Sequence, residues 1–374
     1  MARILVIASF TPSLVIFRGD LLRELLGRGH EVIACSPAPD EATLRQLADL
    51  GASHREYRLQ RTGMNPAADW RSYRDLRRIM AEVRPDHALS YTIKPVIYGS
   101  LAAGRQKVRS VSAMITGLGT TFLGSGLKAA LLNSFARTMY RAALKECGTV
   151  FFQNPDDSAI FLDMGLVRPD QVVLINGSGI NLQRFSPAPV PAGAPVFLLI
   201  ARLVKDKGIA EFAEAARLVK SRYPGARFQV AGFFDDHPRS ISRRQMDAWV
   251  NCGILEFLGR SDDVRPLLKE CSVYCLPSYR EGTPRTVLEA MATGRAIITS
   301  DAAGCRETVT PDDNGFLVPV RDPAALAEAM EKFCVDPDLA GAMGARSRLL
   351  AESKYDVNLV NRDILAGMGL VQTD

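Results

Sequence analysis

The chain repeats two unlike patterns in alternation. Short, mostly apolar runs are each followed by a longer stretch in which apolar residues recur every three or four positions. Ile4–Ala8, Glu31–Cys35, His87–Ser90, Ser110–Ile115, Thr149–Phe152 and Val172–Ile175 are runs of the first half. Val196–Ile200, Arg227–Ala231, Val273–Leu276, Ala296–Thr299 and Gly315–Val318 are their counterparts in the second. Between them lie helical patterns such as Phe17–Gly29, Trp70–Arg84, Gly208–Arg222 and Pro323–Phe333. A strand with one wet face alternates apolar and polar residues, whereas a continuous apolar run is covered on both faces. The alternation therefore predicts doubly wound α/β sheets of parallel strands.

A chain of 374 residues is too long for one such core and suits two. Phe185-Ser-Pro-Ala-Pro-Val-Pro-Ala-Gly-Ala-Pro195 holds four prolines and can sustain neither a helix nor a central strand. Placing the boundary there gives domains 1–185 and 186–354. A last helical segment, 355–374, is expected to cross back to the first. Ligands of open α/β sheets bind at the carboxyl ends of the strands, so two facing domains imply a cleft between those edges.

Charge divides the halves. Residues 1–185 carry 23 Lys and Arg against 16 Asp and Glu, and residues 186–374 carry 23 against 25. A basic first half fits an anionic partner, a phosphate-bearing substrate or the cytoplasmic leaflet, or else helices with solvated arginines. The seven cysteines are scattered without a CxxC pair or a histidine cluster, so neither zinc nor a disulfide framework is indicated. Reduced, partly buried thiols of a cytosolic protein are expected. The N-terminal Met1-Ala-Arg-Ile-Leu-Val-Ile-Ala8 is too short for a signal peptide and reads as a first buried strand. No run is long and apolar enough to span a bilayer.

The chemistry concentrates after two strands of the second half. Val273–Leu276 runs into Pro277-Ser-Tyr-Arg-Glu281-Gly282-Thr283-Pro284-Arg285-Thr-Val-Leu-Glu289-Ala-Met-Ala-Thr-Gly294. Thr283 suits an N-cap, Pro284 the first helical position and Gly294 the C-cap. Glu281 then lies in the loop, and Glu289 faces outward from the second turn. The backbone N–H groups of Arg285 and Thr286 present a positive helix end, suited to an anion. Val196–Ile200 is followed by Ala201-Arg202-Leu-Val-Lys205-Asp-Lys207-Gly208, which sets two cations at the same edge. Arg as a bidentate donor and Lys as a point charge suit a diphosphate.

Together these residues resemble the retaining glycosyltransferases with the GT-B fold, glycosyltransferase family four. The matching segments are Arg202…Lys207-Gly208, Leu258-Gly259-Arg260, Leu276-Pro277-Ser278, Glu281-x7-Glu289, Gly304…Glu307 and Asn314-Gly315. In the first half Gly177-Ser-Gly-Ile-Asn181…Phe185 matches more loosely. The resemblance implies two Rossmann-like domains, the first for the acceptor and the second for a nucleotide-sugar. It implies that Arg202 and Lys207 hold the donor diphosphate and that Glu289 binds the ribose. Glu281 would stand beside the transferred sugar, with Arg202 and Lys207 in the catalytic set. Backbone amides of Gly282, Thr283 and Arg285, around Pro284, would bond sugar or phosphate oxygens. Gly259 and Arg260 would meet the uracil. Cations replace a metal in this scheme, and no cofactor is implied beyond the UDP-sugar donor.

The first half departs from the family pattern. The loop after the first strand has no glycine before Gly19, and Thr116 stands where many members have a histidine. That substitution favours front-face displacement assisted by the leaving phosphate. Met114-Ile-Thr116-Gly117-Leu-Gly119, with Asn65-Pro66 and Thr92-Ile-Lys94-Pro95, is similar to a narrower branch. Its members include transferases that add N-acetylgalactosamine to bacillosamine on undecaprenyl diphosphate, and related enzymes of capsule and O-antigen assembly. The branch implies a polyprenyl-diphosphate-linked saccharide as acceptor and a UDP-N-acetylhexosamine as donor. Thr116, Gly117, Lys94, Phe17 and Arg18 are the acceptor-side candidates. Gly126–Lys145 reads as a cationic amphipathic helix, with Leu127, Leu131, Leu132 and Phe135 beside Lys128, Arg137, Arg141 and Lys145. It favours peripheral association with the cytoplasmic face of the inner membrane.

Other classes fit less well. A dinucleotide oxidoreductase needs Gly-x-Gly-x-x-Gly between strand and helix, and Gly117-x-Gly119 has Phe122 at the third position. A UDP-sugar epimerase or a transferase to a soluble acceptor stays open as the alternative. A non-catalytic scaffold has no need of Arg202, Lys207, Glu281 and Glu289 together. A basic surface without a recognised module does not make a nucleic-acid binder.

Overall fold

The computed structural model describes residues 1–61, 63, 65–118, 127–234 and 239–371, and for 127–132 the backbone alone. The chain forms two compact units, Gly179–Val357 and a unit made of Met1–Ser178 with the segment that begins at Asn358.

In the first unit the strands are β1 (Arg3–Ile7), β2 (Glu31–Ser36), β3 (Ser53–Glu56), β4 (His87–Tyr91), β5 (Ser110–Ile115), β6 (Thr149–Phe152) and β7 (Val172–Leu174). The helices between them are α1 (Pro12–Ile16), α2 (Gly19–Gly27), α3 (Glu41–Leu50), α4 (Pro66–Val83), α5 (Ile93–Arg105), α6 (Leu127–Leu144) and α7 (Pro155–Asp163). The order is β3-β2-β1-β4-β5-β6-β7, all pairs parallel. The direction of winding reverses between β1 and β4.

The second unit holds β8 (Val196–Ile200), β9 (Arg227–Ala231), β10 (Glu256–Gly259), β11 (Val273–Leu276), β12 (Ala296–Ser300) and β13 (Gly315–Val318). Its helices are α8 (Ile209–Arg222), α9 (Arg243–Asn251), α10 (Arg265–Glu270), α11 (Arg285–Ala292), α12 (Pro323–Val335) and α13 (Leu339–Lys354). The order is β10-β9-β8-β11-β12-β13, again parallel, and it reverses between β8 and β11. The five residues of β8 are all buried, as the continuous apolar run requires.

The last helix, α14 (Val357–Gly367), buries Val360, Ile364 and Leu365, and Met368 just after it, with Ile4, Val6 and Leu22 of the first unit. Thr149 Oγ1 donates to the Gly367 carbonyl at 2.7 Å. The prolines after Phe185 are not the link between the units. They pack on the second one, where the buried Arg295 donates to the carbonyls of Ala188 and Pro189 at 2.8 and 3.0 Å. Prolines cannot pair their carbonyls in a helix or central strand, which leaves those acceptors open to a buried guanidinium. The chain passes from unit to unit at Ser178–Gly179 and Val357–Asn358 instead. No described helix is long and apolar enough to cross a membrane.

Candidate active site

In the second unit the loops after β8 and β11 flank the point where the strand order reverses, the place where open α/β sheets bind ligands. The β8 loop carries Arg202 exposed, then a single 3-10 turn, Lys205–Lys207, closed by Gly208 in the left-handed region at φ +70°. Glycine is required there twice over. A Cβ at Gly208 would lie 2.1 Å from the Pro277 carbonyl oxygen of the β11 loop. That contact brings the two loops together.

Lys207 Nζ donates to Glu281 Oε1, and the side chains are 20% and 14% exposed. The pair unites a cation from one strand end with a carboxylate from the next. Glu281 is held from behind as well: its N–H donates to the Ala303 carbonyl at 2.9 Å. Gly304, at φ +79°, leaves room for the carbonyls of Glu281 and Gly282. The buried Cys305 thiol lies within the field of Glu281 and Lys207, and burial pushes it up.

Helix α11 begins one residue later than the cap signals place it. Pro284, extended at ψ 107°, is the N-cap and makes no side-chain cap bond, so Thr283 is not the cap. Gly294, at φ +79°, follows the C-cap Thr293. Glu289 is also corrected. It does not face solvent but is 8% exposed, with Arg285 Nε donating to Oε1 at 3.0 Å. The i, i+4 spacing sets both side chains on one face. Burial raises the Glu289 carboxyl above its usual range, and Arg285 opposes that shift. Beneath lies Tyr274, fully buried, its hydroxyl donating to the Ile200 carbonyl at 3.1 Å and its phenol pushed up by burial.

Gly259 ends β10 at φ +71°, and its carbonyl accepts from Gly232 N–H at 2.8 Å. Arg260 is exposed at the same carboxyl edge and pairs with Asp262 at 3.1 Å. The donor-side candidates therefore gather on one edge of one sheet.

The first unit has an equivalent edge where β1 and β4 diverge. Thr92 Oγ1 donates to Ser9 Oγ at 2.8 Å, joining the two loops. Thr92 sits at φ +69°, strained for a β-branched residue, and such strain collects at functional sites. Phe17 is 39% exposed, whereas Arg18 is 2% exposed. The Arg18 guanidinium donates to Met114 Sδ at 2.7 Å and lies 5.3 Å from the Tyr91 ring centre. Thr116 and Gly117 follow β5, partly buried, with Gly117 at φ +121°. Lys94 turns away and ties elements together, its Nζ donating to Asp69 at 2.8 Å and to the Gln60 carbonyl at 2.7 Å. Gly119 and the side chains of Leu127, Lys128, Leu131 and Leu132 lie outside the described residues. Of the rest of α6, Phe135 is 50% exposed and Arg137 and Arg141 are exposed, as is Lys145 just after the helix.

Sequence reasoning missed the Arg285–Glu289 pair, which its i, i+4 spacing could have revealed. It also missed Glu211, Tyr279 and Arg321, which meet across 110 residues of sequence and leave no local signal.

Two family models match the chain: glycosyl transferases group 1 over residues 194–336, and a glycosyl transferase 4-like domain over residues 17–177. N,N′-diacetylbacillosaminyl-diphospho-undecaprenol α-1,3-N-acetylgalactosaminyltransferase of Campylobacter jejuni is 29% identical over 357 residues, 92% of each chain. A glycosyltransferase from Rickettsia africae superposes with a TM-score of 0.79 at 20% identity, over 100% of this chain and 99% of that one. Anabaena HepE in complex with UDP and glucose superposes with a TM-score of 0.80 at 17% identity, over 99% and 100%. Parallel sheets of seven and six strands with these neighbours define the GT-B fold. The two matched spans together take in most of the chain, which belongs to the glycosyltransferases, with a 4-like domain first and a group 1 domain second.

Proposed function

We propose that the protein transfers an N-acetylhexosamine from a UDP-sugar onto a saccharide carried on a polyprenyl diphosphate, with retention and without a metal or other cofactor. One observation carries the reading: Lys207 and Glu281 meet at the switch point of the second sheet, beside the Arg285–Glu289 pair. The Campylobacter relative, named for transfer of N-acetylgalactosamine to a diphospho-undecaprenol-linked sugar, supports the donor and acceptor classes. The UDP complex of HepE supports the nucleotide.

In this reading Arg202 and Lys207 take the diphosphate and Glu289 the ribose hydroxyls. Glu281, released from part of its contact with Lys207, accepts from hydroxyls of the sugar. Gly259 and Arg260 flank the base, and amides of Gly282 to Arg285 meet sugar or phosphate oxygens. The acceptor oxygen attacks the anomeric carbon on the face that the diphosphate is leaving. The carbon–oxygen bond to UDP breaks with its electron pair on the phosphate, and that phosphate takes the proton of the acceptor hydroxyl. Fixed cations at the departing charge stabilise the transition state more than the ground state.

The first unit receives the acceptor at the edge bearing Phe17, Arg18, Thr116 and Gly117, with Lys94 fixing the loops around it. Helix α4 supports work at the cytoplasmic face of the inner membrane. Trp70 is 58% exposed, Arg74 stacks on its ring at 5.0 Å, and Arg71, Arg77 and Arg78 are exposed along the helix. An aromatic ring among arginines suits an anionic interface.

A panel of UDP-sugars, followed by UDP release with and without a lipid-linked saccharide, tests the proposal. Release of UDP from one UDP-N-acetylhexosamine should accelerate when the lipid acceptor is added. Equal transfer to a free monosaccharide, or an epimer formed without acceptor, overturns it.

A further inference from the structure

Lys207 stands on a weak element. A lone 3-10 turn has poor hydrogen-bond geometry and no length over which to gain cooperativity. Its own bonds are few: Lys207 N–H donates to the Val204 carbonyl and Gly208 N–H to the Lys205 carbonyl, each at 3.0 Å. Its position must therefore come from tertiary contacts, and these converge on Asp206. The Asp206 carbonyl accepts from Tyr279 N–H at 2.9 Å and from Ser278 Oγ at 3.0 Å. Its carboxylate pairs with Arg239 at 2.5 Å.

Tyr279 is anchored in turn at its other end. The phenol donates to Glu211 Oε1 at 2.5 Å, in the first turn of α8, and the Arg321 guanidinium lies 4.6 Å from the ring centre. Glu211 Oε2 is buried and accepts no hydrogen bond among the described residues, so the phenol is this carboxylate's neutral donor there. Glu211 follows Lys207 by four positions. The contacts thus close a ring: Asp206 carbonyl, Tyr279 backbone, Tyr279 phenol, Glu211 side chain, and back along the chain through Gly208. Lys207 is inside that ring on one side, and Glu281 follows Tyr279 by two residues on the other.

We infer that Tyr279 and Glu211 are positioning residues for Lys207, setting the ammonium where it meets a nucleoside diphosphate. The inference rests on the reading of Lys207 as a diphosphate ligand. Neither residue touches the reacting atoms, so their effect runs through the lysine. Removing the phenol hydroxyl frees one end of the ring and lets the turn drift. Geometric error of this kind weakens a charge-assisted contact without unfolding the domain.

The test is a double-mutant cycle on the full chain, read as the dissociation constant of UDP by calorimetry, with melting temperatures alongside. Tyr279→Phe should weaken UDP about tenfold, and Glu211→Ala about equally. Glu211→Gln keeps a carbonyl acceptor for the phenol and should restore most of the affinity. In a Lys207→Ala background, Tyr279→Phe should add less than about a twofold further loss, because the group it positions is gone. Independent losses that multiply, or a Tyr279→Phe variant that binds UDP like the wild type, overturn the inference and leave the lysine's role standing. A Lys207→Ala variant that binds UDP normally takes away the reading of the lysine and the inference with it.

Discussion

Burial holds the Glu289 carboxyl above its usual range, with Arg285 and the more distant Arg184 pulling the other way. The folded chain then binds this proton more tightly than the unfolded chain does. The stability the group contributes is complete below the unfolded value of about 4.3 and declines as pH rises through the folded value. The difference in melting temperature between wild type and Glu289→Gln should therefore move against the wild type as pH is raised from about 4 to 7. A difference that stays flat, or moves in favour of the wild type, contradicts this. A carboxylate kept at such a cost has a use. In the proposed reading it is the charged acceptor for two ribose hydroxyls, which a neutral amide replaces poorly. The sequence singles out Glu289 as a donor-site candidate, but its burial was not legible there. Helix periodicity gives the face a side chain shares, and only the fold decides what covers that face.

The elements that make the site are loops, and glycine sets how closely they approach. Gly304 combines φ +79° with a built Cβ 2.3 Å from the carbonyl oxygens of Glu281 and Gly282. Gly253 has a similar φ of +67° but nothing within 4 Å. Both alanine variants incur the left-handed backbone cost of about 1–2 kcal/mol. Gly304→Ala must also displace the Glu281 loop, so its UDP affinity should fall about tenfold or more. Gly253→Ala should lose stability alone. Equal UDP affinity in the two variants would show that the Gly304 contact does not shape the site. The strands of both units were largely readable: Ser110–Ile115, Thr149–Phe152, Val196–Ile200 and Val273–Leu276 lie where the apolar runs put them. β3 and β10 gave no such run. Both are edge strands, exposed or half-exposed along their length, and Ser53-His-Arg-Glu56 carries no apolar residue. An edge strand is held by its ladder and owes little to burial, so pattern reading passes over it.

At the scale of the molecule the charge asymmetry and the fold point the same way. The first 185 residues hold 23 cations against 16 anions, and the first unit also exposes Trp70 among arginines. Binding to phosphatidylglycerol vesicles should exceed binding to phosphatidylcholine vesicles. It should weaken between about 0.05 and 0.5 M salt, as screening shortens the reach of the arginines. Trp70→Ala with Arg74→Glu should weaken it further without altering UDP affinity. Binding indifferent to lipid charge would leave the first unit without a membrane role. The two-unit plan was readable from the alternation of runs, and so was the return of the last segment, expected at 355 and found at Val357–Asn358, but the first crossing, at Ser178–Gly179, was not. Prolines mark where regular structure stops, and here that segment is packed under Arg295 instead of spanning a gap.

The most direct measurement is the product itself. The purified protein is given UDP-N-acetylgalactosamine, or whichever UDP-N-acetylhexosamine the donor panel selects, with a polyprenyl-diphosphate-linked saccharide. Mass spectrometry and the anomeric proton coupling then read the lipid product. Retaining transfer predicts a gain of one N-acetylhexosamine, one UDP released per transfer, and an α linkage from the α-configured donor. A β linkage, or UDP-sugar consumed while the lipid saccharide keeps its mass, would contradict it.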